Sequence, residues 1–325
     1  MAYTTINKST AHFNTKLYTG NSNGSNSQTI SVGMAPNWTW IKPRGATGDH
    51  RLFDTVRGVY KDLVANGTAG QANSTTSLTA FNSDGFVVGS ENGVNSNNDT
   101  FVSWNWKESA AGGLDIISYT GTGSNINLSH NLSAIPDWIM IKARSGTDAW
   151  RVYSKGMGYD KRLVLSEAGG SSTSAIGLDA EPTSSVINIG TDTACTNQNG
   201  KTYICYAFKN VQGYSKSGRY RGNGNADGTF VYTGFKPTFI LVKRTNGSEN
   251  WTIMDSARDP SNVAVNKLHP NTNGGTDAGA TIDILSNGFK NRTTNAGANG
   301  SGDSYIYMAF GQSLVGTNNI PATAR

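Results

Sequence analysis

A lysine with an arginine one or two residues behind it closes an apolar run three times: Lys42 and Arg44 in IKPRGATG, Lys142 and Arg144 in IKARSGTD, Lys243 and Arg244 in VKRTNGSE. A ring follows each pair, at His50, Trp150 and Trp251. Such a set could form a shallow cationic and aromatic patch, because a tryptophan face packs on sugar C–H groups and a guanidinium pairs with an acidic group. The same residues also have a structural reading. In WTWIK, alternation places Trp38, Trp40 and Lys42 on one strand face, with counterparts Trp138, Met140, Lys142 and Phe239, Leu241, Lys243. A lysine stem can lie along such a face while its ammonium reaches water. Scaffold is therefore the default for these nine residues, and a surface-binding patch is the functional alternative.

Other chemistry is thin. The histidines His12, His50, His130 and His269 occupy unrelated positions, and no pair has metal-ligand spacing. Asp54 and Asp255 correspond to each other, but Ser154 stands at the matching place between them and no partner acid recurs. The paired carboxylates of a glycan-cleaving enzyme are thus missing, and a turn-capping or solvent-facing role is expected for both acids. No nucleophile elbow with a matching histidine and no phosphate-cradling loop is present. NGNADG, Asn223 to Gly228, alternates oxygen donors and has a glycine at its sixth place, yet Gly234 stands where a calcium loop needs a bidentate glutamate. It is read as a hairpin turn, as is the asparagine-rich GVNSNNDT from Gly93. We expect no catalytic residue, no cofactor and no metal site.

The elements that would position these residues repeat. Tyr18, Thr19 and Gly20 match Tyr119, Thr120 and Gly121, then Tyr220, Arg221 and Gly222, at steps of 101. Pro36, Pro136 and Pro237 follow, each one residue short of an aromatic: Trp38, Trp138 and Phe239. Each copy closes on a strand, FVSWNW from Phe101, YICYAF from Tyr203 and YIYMAF from Tyr305. Val102, Trp104 and Trp106 and their counterparts make one uniformly large face, expected to be core in every copy. The first copy holds eight strand-like runs in about 93 residues, the spacing of a sandwich. No helical crossover of the kind a parallel sheet requires is seen. The expected fold is all-β, with three tandem β-sandwich or jelly-roll-like repeats of about 95–100 residues at 15–108, 115–210 and 218–312. An N-terminal arm, 1–14, and a C-terminal tail, 313–325, flank them, and each copy is large enough for its own core.

Composition agrees: 39 glycines, 8 prolines and only 15% charged residues suit many tight turns. The formal charge of +5 is scattered, without the clustered basic face of a nucleic-acid binder. The N-terminus carries no signal-peptide pattern and no run reaches 18 apolar residues, so folding in a cytoplasm without a membrane span is expected. A hairpin turning at Asn199 and Gly200 would put Cys195 and Cys205 on opposite faces, arguing against a disulfide.

Four segments carry a resemblance: MAYTTINKSTAHFNTKLYTGN, HRLFDTVRGVYKDL with LTAFNSDGFVVGS, GYSKSGRYRGNGNADGTFVYTGFKP, and YIYMAFGQSLVGTNNIPATAR. Through them nearly the whole chain resembles a repeat-containing virion structural protein of tailed phages of marine and freshwater bacteria, described as tail fibre or tail-associated. The resemblance implies a particle component assembled in the host bacterial cytoplasm, and it transfers no catalytic residue. The expected function is a tail fibre, spike or tail-associated adhesion protein contacting the host surface. A capsid decoration protein or head fibre is the alternative, and a glycan depolymerase stands behind both. Expected partners are other virion proteins of tail or capsid and a host cell-surface glycan, with no nucleic acid. Homo-oligomers are symmetric, so the chain is expected as a homotrimer or as a pseudo-threefold monomer.

Overall fold

A computed structural model describes residues 4–173 and 177–313; the expected C-terminal tail beyond Ser313 lies outside them. The chain is all-β, and among the described residues helix is confined to Asn92–Asn95 and two three-residue turns. All eight strands expected in the first repeat form.

Each repeat builds an inner antiparallel sheet from the same four strands in the same spatial order. The opening strands are Phe13–Thr19, Leu114–Thr120 and Ser215–Arg221, and the closing strands are Thr100–Trp106, Thr202–Phe208 and Ser304–Ser313. A tryptophan-bearing strand or its equivalent follows, at Trp38–Pro43, Trp138–Ala143 and Phe235–Arg244. The fourth strands are Arg51–Asp54, Arg151–Ser154 and Thr252–Asp255. The opening strands start at Phe13, Leu114 and Ser215, so the repeats begin a little earlier than expected and Phe13 and Asn14 of the supposed arm belong to the first sheet. Large residues face each other across the ladders: Trp38 opposite Trp106, Trp138 opposite Phe208, Phe239 opposite Phe310. Such cross-strand aromatic pairs set the register, because a one-residue slip would turn every one of them to the other face.

A smaller outer sheet covers one side of each inner sheet. It pairs Gln28–Ser31 with Gly85–Val88 in the first repeat, Ile126–Ser129 with Val186–Ile189 in the second, and Phe230–Tyr232 with Gly288–Asn291 in the third. The layer between each pair of sheets is a separate apolar cluster: Ile41, Phe53 and Phe86 in the first repeat, Ile139, Ile187 and Cys205 in the second, Ile240, Ile282 and Phe289 in the third. The repeated tyrosines Tyr18, Tyr119 and Tyr220 belong here. Each stacks on the first ring of its closing strand, at centroid separations of 5.1, 5.0 and 4.9 Å. Each hydroxyl donates to a backbone carbonyl, of Val94, Thr196 or Ala298, at 2.6–2.7 Å.

The uniformly large face of the closing strands turns out not to be the interior of its own repeat. Val102, Trp104 and Trp106 meet Ile204, Tyr206, Phe208, Ile306, Met308 and Phe310 in one cluster shared by all three repeats. Trp38 of the first repeat stacks on Tyr206 of the second at 4.7 Å, and Phe208 meets Phe310 of the third at 5.8 Å. The central strands of the inner sheets are thus buried on both faces, and three sandwiches close around a common core. Burying one large apolar side chain is worth roughly 1.5–3 kcal/mol, so the nine closing-strand residues alone bind the repeats into one unit. The expectation of independently cored tandem domains is corrected to that extent. Ile6, before the first strand, is also buried in the common core, and Phe13 meets Phe239 of the third repeat edge to face at 5.6 Å and stacks on Phe310 at 5.3 Å.

Candidate functional site

The basic signature lies at the seams between repeats. Lys42, Lys142, Lys243, His50, Trp150 and Trp251 are all wholly buried, so they do not form an exposed cationic and aromatic patch. The reason is that each repeat lays the short strand following its fourth strand (Lys61–Val64, Leu163–Val164, Ala264–Lys267), or the loop just beyond it, over the next repeat's signature. At the seam of repeats 1 and 2, the Lys142 ammonium donates to Thr68 O at 2.9 Å and the Trp150 indole to Val64 O at 2.8 Å. At the seam of repeats 2 and 3, Lys243 donates to Ala168 O at 2.9 Å and Trp251 to Val164 O at 2.9 Å. At the seam of repeats 3 and 1, Lys42 reaches Asn273 O at 3.4 Å and holds Pro43 O at 2.8 Å. The contacts run 2 to 1, 3 to 2 and 1 to 3, so the ring is closed head to tail within one chain and has pseudo-threefold character.

His50 stands where the other repeats have tryptophan. It accepts the Trp40 indole N–H at Nδ1 (2.9 Å) and lies parallel to the Trp104 ring. Burial first, then the charge of Lys42, pushes its pKa well below the ordinary histidine range, so the imidazole is neutral. The three lysines are lowered to about 8, burial being the largest cause. Their ammonium groups persist at neutral pH because peptide carbonyls replace the lost water; Lys243 has three, from Ala168, Arg244 and Glu249.

Arg44, Arg144 and Arg244 are half-buried. Their own turn accepts a strand-like backbone bond from the incoming loop: Thr276 N to Arg44 O at 2.7 Å, Gln71 N to Arg144 O at 2.8 Å, Ser171 N to Thr245 O at 2.7 Å. Arg144 also binds Gln71 and Ser118, and Arg244 pairs with Asp303 at 2.7 Å. The loops come so close that a Cβ on Gly70, Gly170 or Gly275 would lie 2.8 Å from a carbonyl oxygen of the neighbouring repeat.

Asp54 and Asp255 are wholly buried, which removes the solvent-facing reading, while their turn-capping role is present. Asp54 accepts Arg57 N at 2.7 Å, pairs with Arg57 Nε at 2.5 Å and receives the Tyr206 hydroxyl of the second repeat at 2.6 Å. Asp255 does the same with Arg258, at 2.9 and 2.6 Å, and receives the Trp104 indole of the first repeat at 3.1 Å. The matching positions of the second repeat and its neighbour hold Ser154, Met157 and Met308. All three polar members are therefore replaced together at the seam of repeats 2 and 3, where one change alone would strand a buried charge.

Sequence reasoning overlooked Asn95, Asn197 and Asn299, which are wholly buried. Each accepts a backbone N–H from the loop after the opening strand, of Asn21, Thr122 or Asn223, at 2.8–3.0 Å. Each amide also donates to carbonyls on both sides of that loop, as Asn299 does to Asn225 and Thr293. Their step of 102 was the available signal. NGNADG is one of these loops, and its oxygens are occupied by protein donors: Asn225 N and the Asn299 amide on Asn223, Asp227 N on Asn225, Lys290 and Arg292 on Asp227. Among the described residues no group of three or more metal-ligating side chains converges. Cys195 and Cys205 are free and buried, but the expected hairpin is absent. Cys195 lies in a turn whose backbone is held by Asp192, and its sulfur contacts Arg151.

Open space follows the seams and the third repeat. A cleft of about 520 Å³ lies at the seam of repeats 2 and 3, with Lys161, Arg219 and Arg221 on its walls. A smaller one, about 330 Å³, sits in the third repeat, where Asp277 is already paired with Lys267 at 3.0 Å.

Fold and seams together define a single-chain, three-lobed β-sandwich protein whose recurring charged residues hold its lobes to one another. The chain belongs to the DUF7483 family: the model for this domain of unknown function matches residues 8–313, all three repeats as one unit. No curated protein matches it. Among the described residues no helix is long and apolar enough to cross a membrane.

Proposed function

We propose that the protein is a structural component of a bacteriophage virion, a tail fibre, spike or tail-associated protein that contacts the host surface. The observation that carries this reading is the closed ring of three similar sandwiches. It holds three related but non-identical loop sets in fixed relation within one rigid unit, an arrangement suited to presenting surface to a partner. Its buried acids, lysines and imidazole are spent on the seams, and Asp54 and Asp255 have no access to a substrate, which weighs against glycan cleavage. The resemblance of the four sequence segments points the same way.

Antibody labelling of purified particles, with copy number per particle, tests the proposal. Label at the tail, together with adsorption of the purified protein to host cells, is the expected result. Label confined to the capsid shell would overturn it in favour of capsid decoration. That second reading is favoured by the pseudo-threefold ring itself, which matches the local threefold positions of an icosahedral shell.

A further inference from the structure

We propose that the cleft at the seam of repeats 2 and 3 binds an anionic saccharide through Arg219, Arg221 and Lys161. The three repeats serve as internal controls for one another. Arg219 and Arg221 occupy opening-strand positions held by Ser118 and Thr120 in the second repeat and by Leu17 and Thr19 in the first. Their register is shared: Arg219 lies opposite Ile306 as Ser118 lies opposite Ile204 and Leu17 opposite Val102. The fold is thus built twice without either guanidinium, and their charge is not a requirement of the strand.

The surroundings suit an anion. Residues two apart on a strand share a face and stand roughly 7 Å apart, so the two arginines suit acidic groups spaced along a chain. Arg219 is exposed and its side chain, like that of Lys161, makes no hydrogen bond or ion pair with another described residue, while the Arg221 guanidinium makes one, to Gly302 O at 3.1 Å. Among the described residues no acidic side chain lines the cleft, and Asp303, next to its wall at Ser304, is engaged by Arg244. This is also the seam without an internal aspartate–arginine pair: Met157, at the position of Arg57 and Arg258, lines the cleft instead. A volume of about 520 Å³ far exceeds one phosphate and falls in the range of small-molecule sites. Ser171, Thr245, Ser304 and Met157 among the lining residues offer polar and apolar contact to a sugar ring. Contacts of this charge-assisted, solvent-open kind weaken with salt.

The site rests on the host-surface reading above, and the two fail separately. Isothermal titration of the full chain with an oligogalacturonate at low salt should show binding at least tenfold tighter than a neutral cello-oligosaccharide of equal length. The variant Arg219→Ser with Arg221→Thr, which installs the second repeat's own residues, should lose at least tenfold in affinity with an unchanged melting temperature. Unchanged affinity in that variant would overturn the site. Inorganic phosphate binding as tightly as the oligosaccharide would overturn the saccharide assignment in favour of a bare anion site. Host-cell adsorption by the variant equal to that of the native chain would sink the site as the host contact and leave attachment standing. Oligogalacturonate binding without any cell adsorption by the native chain would do the reverse.

Discussion

Three wholly buried lysines, each held by backbone carbonyls, make an unusual titrating set. Lys42, Lys142 and Lys243 release their protons near pH 8 in the folded chain and near 10.5 when unfolded. Between those values the unfolded chain binds more protons, so unfolding free energy rises with pH. The rise has its clearest window between about pH 8 and 9, because Cys195 and Cys205 are shifted upward from 9.0 and buried Tyr18, Tyr214 and Tyr220 upward from 10.0, and all five favour the opposite trend above those values. Urea midpoints should therefore be higher at pH 9 than at pH 7.5, and Lys142→Met should remove roughly a third of the slope. A flat or falling profile in the native chain would refute this. At pH 7 the same substitution leaves Thr68 O and Ala143 O without their donor and should destabilise by about 1–3 kcal/mol. The aspartates divide in the same way. Asp54→Ala strands the buried Arg57 and should cost about 3–5 kcal/mol, whereas Ser154→Ala, with no charge to strand, should fall within about 0.5 kcal/mol of neutral. Chemical denaturation of the two variants side by side checks the contrast.

Between strands and loops, the seam is the element that explains the repeats. Gly170 and Gly169 are adjacent, yet a Cβ on the first would meet Thr245 O at 2.8 Å and one on the second would meet nothing within 4 Å. Gly170→Ala should therefore cost about 1–3 kcal/mol and Gly169→Ala about 0.5 or less, measured by thermal or urea unfolding. Replacing Asp54, Arg57 and Tyr206 together by Ser, Met and Met, the residues of the seam of repeats 2 and 3, should be neutral or stabilising by up to about 4 kcal/mol, unlike the single change. The strands themselves were legible in the sequence: alternation of Trp, Val, Phe and Tyr with small or polar residues gave the sheets, and copies in step gave the boundaries to within a few residues. The destination of each face was not. Trp104 and Phe101 are both large and both buried, and what separates them is their partners: Phe101 packs within its own repeat, whereas Trp104 meets Phe239 and Asp255 of the third repeat. The lysines were misplaced for the same reason. A terminal lysine on an apolar face reads as snorkelling to water, and the carbonyls that receive it belong to loops whose approach no local pattern announces.

Across the whole molecule, the common core makes the three repeats one cooperative unit. Calorimetric and van't Hoff enthalpies should agree in a single transition, and a chain lacking the third repeat should expose the faces of Trp104, Trp106 and Phe208 and aggregate or bind hydrophobic dye. Separate melting of individual repeats would contradict the shared core. The cross-seam contacts have a further consequence for how such a chain changes over generations. Asp54 depends on Tyr206 and Asp255 on Trp104, partners 152 and 151 positions apart. Substitutions at these places are tolerated in sets, distributed over two copies, while exposed positions at the rim such as Arg219 and Arg221, whose side chains form no ion pair across the seam, escape that constraint. Divergence is thereby channelled: the interior drifts in step and each lobe's rim varies alone, so one lobe can acquire a new ligand without renegotiating its fit to the other two.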